Sequence, residues 1–131
     1  MSAASNVANA KKAYAAFAAG DLAGALENLD PEVEWVIGGN SVVSGTYRGI
    51  DEVVAFWITM AGLGYSATPI AFFGDEYQVV VLTESTAGDD VDEAADILEF
   101  RDGKLIRFRS IGEQRRFERV WGRKPDAEEA T

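Results

Sequence analysis

Residues 93–112 read EAADILEFRDGKLIRFRSIG, two stretches of alternating side chains separated by Asp102-Gly103. Alternation of apolar and polar residues is typical of half-buried strands, and an Asp-Gly pair between two such stretches predicts a β-hairpin. Within the first strand, Asp96 shares a face with Leu98 and Phe100, because successive side chains of a strand point to opposite sides of the sheet. The hairpin therefore carries one acidic residue on its apolar side.

The length of the hairpin loop decides which residue faces Asp96. A two-residue loop would pair Asp96 with Arg109, whereas a three-residue loop with Gly103 in a left-handed bulge would pair it with Phe108. We predict the three-residue loop, because it gathers large apolar side chains on one face and leaves the charged ones to water. The predicted core side then holds Leu98, Phe100, Ile106 and Phe108, and the solvent side holds Glu99, Arg107 and Arg109.

In this register Asp96 is buried without a basic partner. Burial disfavours the charged form of a carboxyl group and raises its pKa, which suits a general acid, a general base or a neutral hydrogen-bond donor. Two structural interpretations remain open. Asp96 could hydrogen-bond to the backbone or to Tyr14, or it could form an ion pair with Arg109 in the other register.

The rest of the chain places helices first and strands last, an order that favours an α+β fold with helices packed on one face of an antiparallel sheet. Hydrophobic spacing, capping residues and glycine positions predict three helices, over Val7–Ala19, Leu22–Asn28 and about Asp51–Ala61. Asp30-Pro31 ends the helical region before the first strand. Strands are predicted over Val33–Ile37, Tyr65–Phe73, Tyr77–Ala87, Glu93–Arg101 and Lys104–Gly112.

Composition excludes several classes of function. The 131 residues, 47% of them hydrophobic, suit one domain over residues 1–122, followed by a charged tail over residues 123–131. The absence of cysteine and histidine argues against disulfides, zinc sites and thiol or imidazole catalysis, and we predict neither a metal nor a cofactor. A net charge of -10 argues against nucleic acid, and the lack of a long apolar stretch argues against a membrane, so we predict a cytoplasmic protein.

Three phrases in their order along the chain resemble a known family: YAAFAAGD at residues 14–21, SGTYRG at residues 44–49 and FRDGKL at residues 100–105. They are similar to the SnoaL-like and ketosteroid-isomerase-like branch of the nuclear transport factor 2-like superfamily, over roughly residues 5 to 113. The resemblance implies a cone-shaped, cystatin-like fold, in which a curved antiparallel (mixed) sheet packs around N-terminal helices and encloses a deep pocket. It also implies a homodimer formed through the convex face of the sheet.

The resemblance assigns roles to individual positions. In ketosteroid isomerases a general-base aspartate lies on the first strand, and a tyrosine and a protonated aspartate hold the oxyanion. Trp35 stands at the position of the base, and Asp96 at that of the protonated aspartate. Ala13 stands at the position of the oxyanion tyrosine, with Tyr14 one residue later. SnoaL-like cyclases often end their last strand with an acidic residue, a position that Glu113 takes here.

These assignments lead to two hypotheses. The first is an enzyme that acts without a cofactor on a small, largely apolar oxygenated molecule, by isomerisation, cyclisation or epoxide opening. Asp96 and Tyr14 would be its catalytic residues. The second is a non-catalytic ligand carrier or dimeric interaction module. In either case the pocket is expected to be lined by Trp35, Phe17, Trp57, Met60, Phe108 and Ser110. The basic cluster of Arg115, Arg116 and Arg119 is interpreted as part of a C-terminal arm that packs on its own domain or on a second subunit, in preference to an anion site.

Overall fold

A computed structural model describes residues 2–125 as four helices and six strands. The helices are α1 (Ala3–Ala18), α2 (Leu22–Leu26), α3 (Gly49–Gly62) and α4 (Gln114–Trp121). The strands are β1 (Leu29–Ile37), β2 (Gly45–Arg48), β3 (Tyr65–Gly74), β4 (Gln78–Ala87), β5 (Asp90–Arg101) and β6 (Lys104–Ile111). The α+β class predicted from the order of elements is confirmed.

The six strands form one curved mixed sheet in the order β2-β1-β6-β5-β4-β3. Strands β3 to β6 form an antiparallel meander, and β6 then pairs in parallel with β1. Helices α1 and α3 pack on the inner face of the sheet, where α1 contacts β3 and β4 and α3 contacts β1. Along β4 the inward side chains Val79, Val81, Thr83 and Ser85 are buried and Glu84 is exposed, as its alternation predicts.

The turn between α1 and α2 follows the capping signals of the sequence. Gly20 adopts a φ of 73°, a left-handed conformation that glycine reaches without steric cost. The side chain of Asp21 then accepts a hydrogen bond from the backbone N–H of Gly24 at 3.0 Å and caps α2. Together they reverse the chain so that β1 can enter the sheet.

Strand β1 begins at Leu29, four residues before the predicted start at Val33. Asp30-Pro31 does end the helical region, but the strand begins before it, although proline lacks a backbone N–H and is rare inside a strand. The parallel ladder between β1 and β6 shifts its register between Leu29 and Glu34, so Pro31 lies where the pairing is irregular. The strand can therefore continue through it.

The hairpin between β5 and β6 matches neither of the two predicted registers. Arg101 pairs with Lys104 across a two-residue turn, in which Asp102 and Gly103 have φ values of 52° and 78°. A register shift next to Glu99 then leaves Ile106 as the extra residue of a bulge. Leu105, at 4% exposure, therefore takes the core position predicted for Ile106.

Beyond the bulge the two faces separate as predicted. Leu98 pairs with Phe108 and Asp96 pairs with Ser110, and all four side chains are buried. The predicted pairing of Asp96 with Phe108 was thus wrong by two residues. The bulge keeps the apolar side chains on the inner face, which is the effect predicted for the three-residue loop.

The C-terminal arm folds back on its own domain as α4. Phe117 is 1% exposed, and its ring contacts Tyr65 and Trp121. After the helix, the backbone N–H of Lys124 donates to the carbonyl of Asn40 at 2.9 Å, so the predicted charged tail is anchored to the domain at this residue. Residues 126–131 of the predicted tail lie outside the described residues. Among residues 2–125, no helix combines the length and the apolar composition needed to cross a bilayer.

Candidate active site

Asp96 and Tyr14 form a hydrogen-bonded pair inside the sheet. Asp96 lies on β5 between its cross-strand partners Val81 and Ser110, and it is 3% exposed. The Tyr14 hydroxyl on α1 donates to Oδ2 of Asp96. Arg109 lies on the opposite, exposed face of β6, so the alternative ion pair between Asp96 and Arg109 does not form.

The position of Tyr14 follows from helix geometry. Residues four apart lie on the same side of a helix, and Ala10, one turn before Tyr14, is fully buried against the sheet. The small alanine lets α1 approach closely, and the larger tyrosine then reaches β5. The Tyr14 ring also makes an edge contact with Phe72 at a centroid distance of 5.8 Å, which restrains its direction.

Burial raises the pKa of both members of this pair. It raises the pKa of Asp96 from 3.8 to about 7, while the hydrogen bond from Tyr14 lowers this pKa and the charge of Glu113 raises it. Burial, followed by the charge of Asp96, also raises the pKa of Tyr14 well above its usual value, so the tyrosine keeps its proton. Near neutral pH, Asp96 can therefore either accept or donate a proton.

An aromatic cluster of Phe17, Trp35, Trp57 and Phe108 lies on the same inner face. Trp35 on β1 and Phe108 on β6 are paired in register and stack with ring centroids 3.9 Å apart. Trp57 on α3 makes edge contacts with Trp35 at 5.3 Å and with Phe17 at 4.9 Å. Phe17 is 49% exposed and Trp57 only 7%, so the cluster runs from the surface into the interior.

A second set of polar groups, the Arg116 network, joins α4 to the sheet through Arg116, Glu113, Ser85 and Asp90. Arg116 is 4% exposed and uses all five N–H groups of its guanidinium. Nε donates to Asp90 Oδ2 at 2.6 Å, Nη1 to Glu113 Oε2 at 2.9 Å and to the Ser85 hydroxyl at 3.0 Å, and Nη2 to the carbonyls of Ser85 and Asp90, each at 2.8 Å.

Glu113 connects the Arg116 network to Asp96 electrostatically. It is 1% exposed, and burial raises its pKa although Arg116 opposes this effect. Its Oε1 has no hydrogen-bond partner among residues 2–125. Burial also raises the pKa of Tyr65, and the charges of Asp96 and Glu113 add to this effect.

Comparison with known sequences shows the family of this fold. A family model described as a SnoaL-like domain matches residues 10–108, which is most of the chain. The chain belongs to the SnoaL-like family. This match confirms the resemblance drawn from the three sequence phrases. It also places Tyr14, Asp96 and the whole aromatic cluster inside the matched region, whereas Glu113 and Arg116 lie just beyond it.

Solved structures share this SnoaL-like fold. Bal32a from a soil-derived mobile gene cassette is 22% identical, covers 91% of this chain and 98% of its own, and has a TM-score of 0.83. TerC, co-crystallised with polyporic acid, is 23% identical with a TM-score of 0.77 over 88% of this chain and 97% of its own. A putative SnoaL-like polyketide cyclase from Jannaschia is 14% identical with a TM-score of 0.72 over 94% and 95%.

Curated sequence relatives match a shorter segment. An uncharacterised protein of Mycobacterium tuberculosis is 42% identical over 45 residues, which is 34% of this chain and 34% of the relative. The match therefore spans about a third of the length of that protein.

Most of the predicted site residues come together in this SnoaL-like domain. Asp96, Tyr14 and Ser110 meet at one position, because Ser110 is the cross-strand partner of Asp96. Phe17, Trp35, Trp57 and Phe108 form the aromatic cluster, and Met60, 4% exposed, is buried one turn beyond Trp57 on α3. Whether these side chains line a ligand pocket stays a prediction.

Tyr65, Ser85 and Asp90 were not predicted as neighbours of the site. The sequence does carry a signal for the Arg116 network. Glu113 and Arg116 lie three residues apart at the start of α4, and the apolar residues Phe117 and Trp121 follow them.

Among residues 2–125, no three histidine, cysteine, aspartate or glutamate side chains gather closely enough to hold a metal ion.

Proposed function

We propose that the protein binds a small, largely apolar, oxygenated organic molecule beside Asp96 and Tyr14, and that Asp96 moves a proton on it without a cofactor. The supporting observation is the carboxyl group itself. It is 3% exposed, accepts one hydrogen bond from Tyr14 and has no cationic partner among residues 2–125. Structural carboxylates that are buried as ions normally pair with a cation, and this one does not.

Proton transfer by a single residue fits three reaction types. In an isomerisation or a cyclisation, Asp96 takes a proton from a carbon next to a carbonyl group and returns it elsewhere on the same molecule, so no proton is gained or lost overall. In epoxide opening, water attacks an epoxide carbon and gives its proton to Asp96, and the oxygen released when the carbon–oxygen bond breaks then takes that proton from Asp96. A carboxyl group with a pKa of about 7 is matched to either direction of transfer near neutral pH.

Structural relatives support the choice of ligand class. TerC was co-crystallised with polyporic acid, and the Jannaschia protein is named as a putative polyketide cyclase. The aromatic cluster offers flat apolar surfaces of the kind that line pockets for such molecules. Trp35 and Phe108 stack too closely to admit another ring between them, so we place the ligand against their edges, on the side of Trp57 and Asp96.

The alternative proposal is a non-catalytic binder, and one observation favours it. Trp35, whose side chain stacks on Phe108, stands where the resemblance would place the general base of a steroid isomerase. Asp96 would then serve only as a hydrogen-bond partner of the ligand. The two proposals make opposite predictions for the effect of a neutral side chain at this position.

The deciding experiment compares the natural protein with Asp96→Asn on a panel of aromatic ketones, hydroxyquinones and epoxides. Catalysis by Asp96 predicts that turnover falls at least a hundredfold while ligand affinity changes little. Glu84→Gln, on the exposed face of β4, is the matched control and should keep full turnover. Turnover that survives Asp96→Asn would contradict the catalytic proposal, and binding without turnover in either protein would favour the carrier.

We also propose that two copies associate through the outer face of the sheet. Leu82, Ala95 and Ile111 are paired across β4, β5 and β6 on this face, and Phe73 on β3 is 61% exposed. Exposed apolar rows of this kind often mark contact surfaces. Light scattering at micromolar concentration should give the mass of a dimer, and Leu82→Glu should reduce it to that of a monomer. A monomeric natural protein would contradict the proposal.

A further inference from the structure

Trp57 carries a buried hydrogen-bond donor that the fold leaves without a partner. Its side chain lies on α3 and is 7% exposed, yet Nε1 meets no acceptor among residues 2–125. Buried indole N–H groups usually find a partner, because leaving one unpaired forfeits the hydrogen bond that water supplies in the unfolded chain. Trp57 contacts Phe17, which is 49% exposed, so an acceptor that enters along this side of the cluster could pair with the indole N–H.

The indole lies in the interior that also holds Asp96. Trp57 contacts the edges of Phe17 and Trp35, and Trp35 stacks on Phe108. Phe108 precedes Ser110 by two residues on the inner face of β6, and Ser110 is the cross-strand partner of Asp96. A ligand placed against this aromatic cluster could therefore meet the Trp57 donor on one side and the Asp96 carboxyl on the other.

The charges around this interior limit what the ligand can be. Arg116 is the buried cation nearest to Glu113, and all five of its N–H groups are already engaged by the protein. An anionic ligand beside the Asp96 carboxyl would thus find no free donor on the Arg116 guanidinium. A cationic ammonium group would suit the carboxyl, but it has no lone pair for the N–H of Trp57. A neutral hydrogen-bond acceptor avoids repulsion by the carboxyl and also pairs with the N–H of Trp57.

We propose that Trp57 selects the ligand, through a hydrogen bond from its Nε1–H to a carbonyl oxygen of a neutral, planar aromatic compound. The inference rests on the proposed function, since it names the ligand class of the same site. The carbonyl group also explains why a proton acceptor is useful there, because a carbonyl group acidifies the neighbouring C–H bond and a hydrogen bond from Trp57 would stabilise the enolate oxygen that deprotonation leaves. Trp57 is thus a specificity-determining residue, and Asp96 is the residue that transfers the proton.

The experiment uses acetophenone and α-methylstyrene, two probes of nearly the same shape of which only the first carries a carbonyl oxygen. The full chain is labelled with nitrogen-15, and the indole N–H signals of its three tryptophans are followed by NMR during titration. The signals are assigned with Trp57→Phe, Trp35→Phe and Trp121→Phe. Acetophenone should bind about tenfold more tightly than α-methylstyrene, the factor that one net hydrogen bond provides. It alone should move the Trp57 indole proton downfield.

Variants and a charged probe complete the test. In Trp57→Phe the preference for acetophenone should fall to less than twofold, whereas Trp121→Phe should keep it, because Trp121 packs on Phe117 and Tyr65 outside the aromatic cluster. Benzoate should bind more weakly than acetophenone at neutral pH. The test holds even if Trp57→Phe does not fold. The shift of the Trp57 signal is measured in the natural protein, and Trp35→Phe and Trp121→Phe identify the other two indole signals, so the third is that of Trp57.

The outcomes separate this inference from the proposed function. Equal binding of acetophenone and α-methylstyrene, or an unchanged preference in Trp57→Phe, would overturn the role of Trp57 and leave a pocket beside Asp96 intact. Tighter binding of benzoate would overturn the neutral ligand class. If neither neutral probe disturbs any indole or the Asp96 carboxyl signal up to its solubility limit, the proposed function fails, and this inference fails with it.

Discussion

Two sets of buried polar groups share the interior of this domain, and they differ in whether a buried cation pairs with their carboxyl groups. In the Arg116 network every guanidinium N–H has a protein acceptor, and the carboxyl groups of Asp90 and Glu113 share this cation. Asp96, 3% exposed, has a single hydrogen bond from Tyr14 and no balancing cation among residues 2–125. Both sets lie on the inner side of the same sheet, so burial alone does not distinguish them.

The difference indicates separate roles. A buried cation whose N–H groups all have protein acceptors is held in place by the native structure, and it has no donor left to bind a ligand. A buried carboxyl with one neutral partner has a raised pKa and an oxygen to spare, which is the condition for acid–base chemistry. We therefore assign the Arg116 network to holding α4 in place and Asp96 to function.

The largest effect is expected from Arg116→Met. This change leaves the Glu113 carboxyl, 1% exposed, without its cation, and breaking a buried pair in this way costs about 3–5 kcal/mol. Urea unfolding at neutral pH measures the loss. Arg115→Met is the matched control, since Arg115 is exposed, and it should change stability by less than about 0.5 kcal/mol. A loss below about 1 kcal/mol for Arg116→Met would mean that the network is not what holds α4.

Asp96→Asn should have the opposite sign, a gain in stability above neutral pH. The pKa of Asp96 in the folded protein, about 7, lies above its ordinary value of 3.8, so the folded state retains a proton that the unfolded chain releases. Stability of the natural protein should therefore fall as pH rises from about 4 to 7. Asparagine cannot ionise, and at pH ~8 we expect the variant to be more stable by about 1–3 kcal/mol.

Unfolding curves across this pH range test the prediction for Asp96, with Glu84→Gln as an exposed control. A variant that follows the same pH dependence as the natural protein would show that the carboxyl is already ionised and solvated in the folded state. In that event the contrast between the two sets of buried groups would disappear.

Tyr14→Phe should have a smaller effect. The change removes the one hydrogen bond to Asp96, at a cost of about 1 kcal/mol. Because that bond lowers the pKa of Asp96, its loss should move the pKa above about 7. Carboxyl-carbon NMR measures this directly, and Tyr77→Phe, at a tyrosine 68% exposed, should leave it unchanged. A pKa that falls in Tyr14→Phe would contradict the assigned hydrogen bond.

The smallest effect is expected from Glu99→Gln. Glu99 and Arg107 face each other across β5 and β6 at 3.5 Å, but their side chains are 37% and 45% exposed. Water screens such a pair, and its removal should cost less than about 0.5 kcal/mol. A loss comparable to that of Arg116→Met would show that exposure does not govern the strength of ion pairs in this domain.

Sequence reasoning predicted the fold where local pattern dictates structure. Alternation placed β3 to β6 to within a few residues, and the order of elements gave the α+β class. It failed where the answer depends on a partner strand. Leu105 and Ile106 are both apolar, so nothing in the pattern says which one forms the bulge, and Pro31 continues β1 only because the ladder with β6 is irregular there.

The candidate site, like the fold, could be predicted only in part. Asp96 was identified by its place among apolar residues, and Tyr14 was among the partners considered for it. The arm with Arg115, Arg116 and Arg119 was predicted to pack on its own domain or on a second subunit, but the sequence did not show which arginine is buried, since that depends on how α4 is oriented when Phe117 packs inward. That the N–H of Trp57 meets no acceptor within residues 2–125 was beyond any sequence argument, because it depends on which side chains surround the indole.

The parallel pairing of β1 with β6 has a consequence for how the chain folds. Leu29 pairs with Leu105, so the two strands that close the centre of the sheet are separated by most of the polypeptide. Closing so long a loop lowers the entropy of the chain before the stabilising contacts between the two strands can form, and such topologies fold slowly. During synthesis the N-terminal third must wait for β6 to emerge, and a nascent chain cut short before Leu105 would expose the unpaired edge of β1.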